Sequence, residues 1–159
     1  MYDAVDCRIL QHLQRNGRVT QTELASLVGL SSPAVAERIK KLEEKGVIQG
    51  FQARLNPKAL NLELTAFITL RLDHPSRHEM FLERVNACDN ILECHKVTGE
   101  DGFLLKIRVS DTGELDQLLS SYLLDIPGVS HMRTSIALTT HKEEILLPLP
   151  AEESTEESA

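Results

Sequence analysis

The sequence predicts an α+β protein of two domains: an N-terminal helix-turn-helix domain that is winged-helix-like, and a C-terminal ferredoxin-like βαββαβ domain. Three observations predict this architecture. Residues 20–46 have the caps and apolar spacing of two short helices joined by a tight turn. From residue 62 the apolar residues alternate instead of recurring at helical spacing. The later elements then follow the order strand, helix, strand, strand, helix, strand.

Composition excludes several classes of protein. A chain of 159 residues with 42% hydrophobic content is typical of one or two globular domains. No stretch approaches the roughly 20 apolar residues of a membrane span, and no secretory signal is visible at the N-terminus. We therefore expect a cytoplasmic protein that does not interact with membranes. The widely spaced Cys7, Cys88 and Cys94 are expected to be reduced, packed thiols.

The net charge of −7 is unevenly distributed along the chain. Residues 1–60 carry nine Lys or Arg and six Asp or Glu, a net charge of +3. Residues 61–159 carry eight and eighteen, a net charge of −10. The positive charge therefore lies in the part of the chain with the helix-turn-helix pattern, where DNA phosphates would be bound. Because +3 is modest, we expect symmetric copies to bind DNA together.

The first helix is predicted to begin after Asp3 and to run to about Asn16, with Gly17 as its stop signal. Its apolar residues recur at helical spacing and form one inner stripe, which consists of Val5, Ile9, Leu10 and Leu13. A helix in this position supplies the third side of a small three-helix core.

The second helix is predicted to begin at a capping box. Thr20 is a good N-cap, and Glu23 follows three residues later. Ala25 is small enough for the next helix to cross closely. Gly29 can adopt the positive φ that a sharp turn between helices requires.

The third helix is predicted to begin with Ser32 as its cap and Pro33 at its first position. Val35, Ile39 and Leu42 form the buried stripe, and Gly46 ends the helix. Charged side chains lie off that stripe, namely Glu37, Lys40, Lys41 and Glu44. The pattern favours a DNA-binding helix-turn-helix, and an ordinary helical hairpin in a protein core is the alternative.

The second half begins after an extended stretch and a turn at Asn56-Pro57. We place the domain boundaries at residues 1–50 for the first domain, 51–61 for the linker, 62–147 for the second domain and 148–159 for a disordered acidic tail. Within the second domain we predict strands at 62–72, 91–98, 103–109 and 129–142, and helices at 77–88 and from Asp111 with Glu114 onward. Since two helices cover one face of a sheet, we expect the other face to pack against a second copy.

This order of motifs resembles the Lrp/AsnC family, the leucine-responsive or feast/famine transcriptional regulators. The resemblance covers about residues 3–147. It is carried by Asp6…Ile9-Leu10, by Val35…Arg38-Ile39…Leu42-Glu43 with Gly46-Val47-Ile48, by VTGEDGFLLKI at 97–107, and by PGVSHMRTSIALTTHKE at the last strand. It implies a sequence-specific regulator that binds double-stranded DNA at palindromic operators. It also implies homodimers that assemble to octamers, no cofactor, and a small amino-acid-like effector.

The family resemblance places the effector near the hairpin turn at residues 99–102, between the second and third predicted strands. The residues assigned to it are Gly99, Glu100, Asp101, Gly102, Ser135, Thr139 and Thr140. Glycines allow close approach to the backbone, and an acidic side chain can receive an ammonium group. An ordinary β-turn and surface threonines are the alternatives. Family members often have Asp at the position of Gly102. The identity of the effector therefore cannot be inferred from the resemblance.

The predicted DNA surface consists of the start of the second helix and the exposed side of the third. The residues assigned to it are Thr20, Gln21, Ser31, Ser32, Pro33, Ala34, Ala36, Glu37, Arg38, Lys40 and Lys41. Alanines can contact thymine methyl groups, whereas the cations suit phosphates. For Arg38 the sequence leaves two roles open: a DNA contact, or an ion pair with an acid such as Glu23 or Glu43.

An enzyme is the main alternative class, because siroheme decarboxylases resemble this family in both halves. Its candidate residues would be His95, His131 and Arg133. No paired carboxylates or nucleophile and base pattern supports it, so we predict that the protein is not an enzyme. A metal-sensing repressor is disfavoured by the scattered Cys and His, since Pro75 separates the near neighbours His74 and His78.

Overall fold

The computed structural model describes residues 2–99 and 102–149. The chain divides into two compact units. The first contains Met1–Arg54 together with the chain from Glu143 on, and the second contains Leu55–Lys142. Residues 143–147, which the sequence placed in the second domain, thus lie in the first unit. The predicted disorder of the tail concerns residues 150–159, which lie outside the described residues.

The first unit is built from α1 (Ala4–Arg15), α2 (Gln21–Val28) and α3 (Ser32–Glu44). Its core takes side chains from all three helices, and these are Ile9, Leu13, Leu24, Ala25, Val28, Val35 and Leu42. Burying this apolar surface holds the three short helices together, since helices of this length are marginal alone.

The caps of these helices follow local chemistry. Asp3 caps α1 and forms a capping box with Asp6. Thr20 and Glu23 form the predicted box at α2, and Gly29 ends that helix at φ +73°. The cap of α3 is Ser31, one residue earlier than predicted, and its Oγ accepts from the Ala34 amide at 3.4 Å. Either serine has the chemistry of a cap, so the geometry of the Gly29 turn decides which of them is used.

The second unit has the predicted βαββαβ order. Its elements are β1 (Leu64–Leu72), α4 (His78–Asn86), β2 (Ile91–Lys96), β3 (Phe103–Val109), α5 (Thr112–Leu118, continued by a π-helical turn at Leu119–Leu123) and β4 (Val129–Ile136). The antiparallel sheet has the strand order β2-β3-β1-β4, which is the ferredoxin-like arrangement.

Alternate residues of the two central strands separate a buried face from an outer face. Ala66, Ile68 and Leu70 on β1 lie opposite Ile107, Leu105 and Phe103 on β3, and all six are in the core with Phe81 of α4. The residues between them point to the outer face, where Phe67 lies opposite Lys106 and Thr69 opposite Leu104.

The last strand is shorter than predicted and ends at Ile136 instead of residue 142. Its final pairing is Ala66 with Ile136, followed by a bond from the Ala137 amide to the Thr65 carbonyl at 2.9 Å. Because β1 begins at Leu64, the chain beyond Ala137 finds no further strand to pair with. The alternating pattern of residues 129–142 predicted an extended conformation, but it could not show where the neighbouring strand ends.

The start of α5 differs from the predicted capping box in the hydrogen-bond partner of Glu114. Asp111 is the cap, as predicted, and accepts from the amides of Gly113 and Glu114. The Glu114 carboxylate reaches back to Ser110 instead of Asp111, accepting from its amide at 2.6 Å and its hydroxyl at 2.7 Å. These bonds hold the pKa of Glu114 below its ordinary value.

Candidate nucleic-acid interface

The N-terminal turn of α3 presents small side chains. Ser31 caps the helix, Pro33 is exposed, and Ser32, Ala34 and Ala36 are half-buried. Such a surface lets the helix backbone approach closely, and the alanine methyls suit contact with thymine. It offers no pair of hydrogen-bonding groups that would read one base firmly.

Four exposed charges of α3 form two ion pairs, each between residues one helical turn apart. Lys41 Nζ lies 3.2 Å from Glu37 Oε1, and Lys40 Nζ lies 3.8 Å from Glu44 Oε1. All four side chains are exposed, and exposed pairs of this kind are worth little. Both lysines can therefore exchange a glutamate for a phosphate at small cost.

Arg38 is engaged inside the domain. Its Nη1 donates to Asp3 Oδ2 at 2.8 Å and to Asp6 Oδ1 at 2.7 Å. The other oxygens of the two aspartates close the capping box, since Asp3 Oδ1 accepts from the Asp6 amide and Asp6 Oδ2 from the Asp3 amide. Of the two roles left open for Arg38, the structure has the ion pair, with Asp3 and Asp6 in place of Glu23 or Glu43.

This three-residue cluster joins α3 to the start of α1. The Asp6 amide and then the Arg38 guanidinium hold the pKa of Asp3 below its ordinary value. The two aspartates were missed as partners because they lie 35 and 32 residues away in sequence. The sequence did contain a signal for this cluster, because Asp3 and Asp6 are two acids at the start of one helix. Asp3 was interpreted only as the helix cap.

Of the two residues assigned to DNA at the beginning of α2, one is occupied as a helix cap and the other is exposed. The Thr20 hydroxyl donates to Glu23 Oε2 at 2.8 Å and accepts from the Glu23 amide at 3.2 Å. The Thr20 amide, which donates to the same carboxylate, is the main cause that holds the pKa of Glu23 below its ordinary value. Thr20 is thus occupied as a cap, whereas the neighbouring Gln21 is exposed.

The predicted effector turn joins β2 to β3. Gly99 and Gly102 adopt φ +98° and +73°, and the Val97 amide donates to the Gly102 carbonyl at 2.9 Å. A Cβ on Gly102 would lie 3.2 Å from the Leu70 carbonyl oxygen of β1. Both the positive φ and the close packing therefore favour glycine at this position. Glu100 and Asp101 lie outside the described residues.

The other predicted effector residues do not gather at that turn. Ser135 lies opposite Phe67, three residues along β1 from Leu70 and thus about 10 Å away along the strand. Thr139 and Thr140 follow the end of β4, so the prediction that they share the last strand with Ser135 was wrong.

The start of β4 lies nearest the effector turn, and its residues were not predicted from the sequence as effector contacts. Ser130 lies opposite Arg71, and its Oγ donates to the Arg71 carbonyl at 3.3 Å. The ladder shifts register between Thr69 and Arg71, and His131 adopts φ +47°. A β-bulge produces no recognisable pattern in the sequence. The position of Ser130 beside Arg71 is therefore visible only from the strand pairing in the structure.

The residues considered for an enzyme are not brought together. His95 is on β2 and Arg133 on β4, which are the two edge strands of the sheet. Three strand spacings separate them, about 14 Å. His95 instead contacts Glu93, with Nε2 to Oε2 at 3.2 Å. His131, also on β4, lies at the bulge near Arg71.

The described residues contain neither a metal-binding cluster nor a membrane-spanning helix. Within residues 2–99 and 102–149, no three or more His, Cys, Asp or Glu side chains gather where they could hold a metal ion. Over the same part of the chain, no helix is long and apolar enough to cross a membrane.

Comparison with known proteins places both halves of the chain. A family model described as winged helix-turn-helix DNA-binding matches residues 2–49, and one described as the Lrp/AsnC ligand binding domain matches residues 65–147. The leucine-responsive regulatory protein of Haemophilus influenzae is 42% identical over 149 residues, covering 92% of this chain and 90% of the relative. That of Escherichia coli is 39% identical over 143 residues, covering 89% and 87%.

Solved structures agree with this placement. A transcriptional regulator from Neisseria meningitidis, in complex with L-Met, superposes with a TM-score of 0.89 at 34% identity, covering 93% of this chain and 97% of that one. A feast or famine regulatory protein from M. tuberculosis, complexed with L-methionine, gives 0.84 at 32% identity, covering 93% and 99%.

Proposed function

The chain belongs to the Lrp/AsnC family of DNA-binding transcriptional regulators, and from this premise we propose how it binds DNA. The start of α3 enters the major groove, and Lys40 and Lys41 bind phosphates beside it. The observation that carries the proposal is the exposed surface of α3, which combines small side chains at its N-terminus with two loosely paired lysines. Gln21, exposed at the start of α2, lies in a helix that crosses the backbone in other helix-turn-helix domains.

Sequence preference then comes from few groups. Glu37 is the one acidic side chain on the exposed side of α3 within reach of its N-terminal half, and it can accept from a cytosine amino group once Lys41 turns to a phosphate. The remaining specificity comes from the spacing of symmetric half-sites and from bending of the DNA. We expect palindromic operators for that reason.

Replacing both lysines by alanine tests this proposal. Each lysine that binds a phosphate contributes about 0.9 to the slope of log K against log salt. We expect Lys40→Ala with Lys41→Ala to weaken binding to operator and to random duplex alike, and to lower the slope by about 1 for each lysine per bound copy. Fluorescence anisotropy titrations at several salt concentrations measure both quantities.

A matched double variant controls for the loss of net charge. Lys58→Ala with Lys96→Ala removes two exposed lysines of the second unit. We expect its salt slope to equal that of the unaltered protein. Equal slopes for all three proteins would contradict the assignment of Lys40 and Lys41 to phosphates.

The outer face of the sheet is proposed to bind a second copy. Both helices of the second unit pack on the opposite face, where the core lies. Phe67 is exposed at the centre of the outer face, and the Thr69 hydroxyl oxygen is buried without a hydrogen-bond partner among the described residues. The charge of Lys106 on this face is balanced, because Glu93 lies 3.0 Å from its ammonium and has its pKa lowered by it. Dimers of this kind, assembling further to octamers, would present paired α3 helices.

An amino acid is the proposed effector. The support is the ligand-binding family match over residues 65–147, together with the relatives that hold L-methionine. The turn at Gly99–Gly102 allows close approach to its backbone, and the neighbouring end of β4 adds the Ser130 hydroxyl. A carboxylate and an ammonium group on one small molecule suit amides and acids gathered at one turn.

Thermal unfolding with each of the twenty amino acids at millimolar concentration tests the effector. A ligand present at 100 times its dissociation constant stabilises the folded state by about 2.7 kcal/mol, which shifts the melting temperature by several degrees. We expect stabilisation by one chemical class of amino acid. The absence of any shift among the twenty would overturn an amino acid as effector and leave the DNA-binding proposal untouched.

Two glycine variants locate the site of that ligand. Gly102→Ala places a methyl group against the Leu70 carbonyl, whereas Gly46→Ala has the same positive φ with open space around it. Both variants are strained to a similar degree by their conformation. We expect the ligand-induced shift to disappear in the first and to persist in the second.

A further inference from the structure

The chain returns to the DNA-binding unit after completing the second unit. Residues 143–149, which we name the strap, belong to the first unit with α1, α2 and α3. The strap thus gives the DNA-binding unit a second peptide connection, in addition to the one at Arg54–Leu55. From the sequence, residues 143–147 were placed at the end of the second domain and were assigned no function of their own.

Polar contacts from Gln14 and Arg54 hold the two ends of the strap. The Gln14 side chain of α1 donates from Nε2 to the Leu147 carbonyl at 3.0 Å, and its Oε1 accepts from the Leu147 amide at 2.9 Å. This reciprocal pair imitates one rung of an antiparallel ladder. At the other end, Arg54 donates from Nη2 to the Glu143 carbonyl at 3.0 Å and from Nη1 to Glu144 Oε2 at 3.4 Å.

Apolar packing adds little to this attachment. The strap borders a groove of about 470 Å³ that is lined by Leu10 and Leu13 of α1, the segment 47–52 after α3, and three strap residues. Of those three, Ile145 and Leu147 are 75% and 69% exposed. A segment fixed by a few hydrogen bonds and little burial opens at low free energy. Detaching the strap should therefore cost less free energy than unfolding the helices.

The strap also offsets the positive charge of residues 1–54. Residues 1–54 carry eight Lys or Arg and six Asp or Glu, a net charge of +2. The two strap carboxylates, Glu143 and Glu144, offset this charge, so residues 1–54 and the strap together carry a net charge of zero. The strap also occupies Arg54, a cation that would otherwise be available to phosphates. Binding of a polyanion by such a unit loses both long-range attraction and counterion release.

We propose that the strap is an autoinhibitory element, which lowers the affinity of the helix-turn-helix domain for DNA by holding Arg54 and by placing two carboxylates on that domain. Releasing the strap frees Arg54 and removes the two carboxylates from the positively charged residues 1–54. The inference rests on the proposed DNA-binding function, and it adds to that function a control located in cis.

The test compares DNA binding of the full chain with variants that loosen or remove the strap. Gln14→Ala removes the pair of bonds to Leu147, and Glu144→Gln removes one charge at Arg54 while keeping the length of the side chain. A chain ending at Lys142 lacks the strap, and a chain ending at Leu149 keeps it. The probe is a fluorescent random-sequence duplex, titrated at several salt concentrations.

We expect tighter binding by several fold for Gln14→Ala and Glu144→Gln. For the chain ending at Lys142 we expect about tenfold at low salt, with a salt slope larger by about 0.9 for the freed Arg54. The chain ending at Leu149 retains the smaller slope of the full chain. As a matched control, Glu63→Gln removes an exposed carboxylate of the second unit and leaves the affinity unchanged.

Equal or weaker binding by both Gln14→Ala and Glu144→Gln, in a full chain that binds DNA, would overturn the strap proposal. Because these variants keep the whole chain, that result would stand even if the chain ending at Lys142 failed to fold. Failure of the proposed DNA-binding function looks different, since neither the full chain nor any strap variant would then bind the duplex.

Discussion

Replacing Phe67 by Asp is expected to dissociate the protein into monomers and to remove tight operator binding. Phe67 is 39% exposed on β1, a central strand of the outer sheet face, with Lys106 and Ser135 as its cross-strand neighbours. In the proposed dimer this aromatic ring is buried against a second copy. A charge in its place loses the packing of an interface hot spot, worth about 2–4 kcal/mol, and adds the cost of removing a carboxylate from water in the interface. The dimer dissociation constant should rise on the order of a hundredfold or more.

Loss of the dimer should weaken DNA binding, because residues 1–54 of a single copy carry a net charge of only +2. Sedimentation velocity at several protein concentrations measures the assembly, and operator titration measures the consequence. Leu82→Asp is the matched control: Leu82 is also 39% exposed but lies on α4, on the opposite side of the unit. If Phe67→Asp kept the oligomeric state while Leu82→Asp changed it, the interface would lie on the helical face.

Local chemistry explains most of what the sequence predicted correctly. Asp3 and Thr20 satisfy amides within three residues, and Gly29 supplies a positive φ that few other residues adopt. The alternation of β1 is visible because one face of that strand is fully buried. The cap of α3 was misplaced by one residue for the same local reason, since Ser31 and Ser32 carry the same hydroxyl.

Contacts between distant residues account for what the sequence could not predict. Arg38 finds its two aspartates at the start of α1, and Gln14 finds Leu147, 133 residues later. Nothing in the residue types selects these partners over nearer acids or amides. The early end of β4 has the same origin, because the length of a strand depends on the strand beside it. The candidate DNA surface was therefore predictable as a set of side chains, but the internal pairing of Arg38 was not.

Phe81→Ala is expected to be the most destabilising single change in the second unit. The Phe81 side chain is completely buried between α4 and the sheet, with its ring centroid 4.7 Å from that of Phe103 at an interplanar angle of 53°. Truncating a buried phenylalanine costs about 3–5 kcal/mol, because the transfer free energy is lost and the cavity collapses only in part. That is a large share of the stability of an ordinary domain. Denaturant unfolding followed by circular dichroism measures the loss.

The effect should extend to the effector turn. Phe103 directly follows Gly102, and its ring also packs edge-on against His78 at 5.4 Å, so Phe81 supports the strand end that positions the turn. Leu82→Ala truncates the next residue of the same helix, which is half exposed, and should change the free energy of unfolding by well under 1 kcal/mol. A loss below 1 kcal/mol for Phe81→Ala would mean that the core under β3 can repack. In that case the conformation of the turn at Gly102 would not depend on packing around Phe81. The Phe81→Ala variant would then still bind the amino acid.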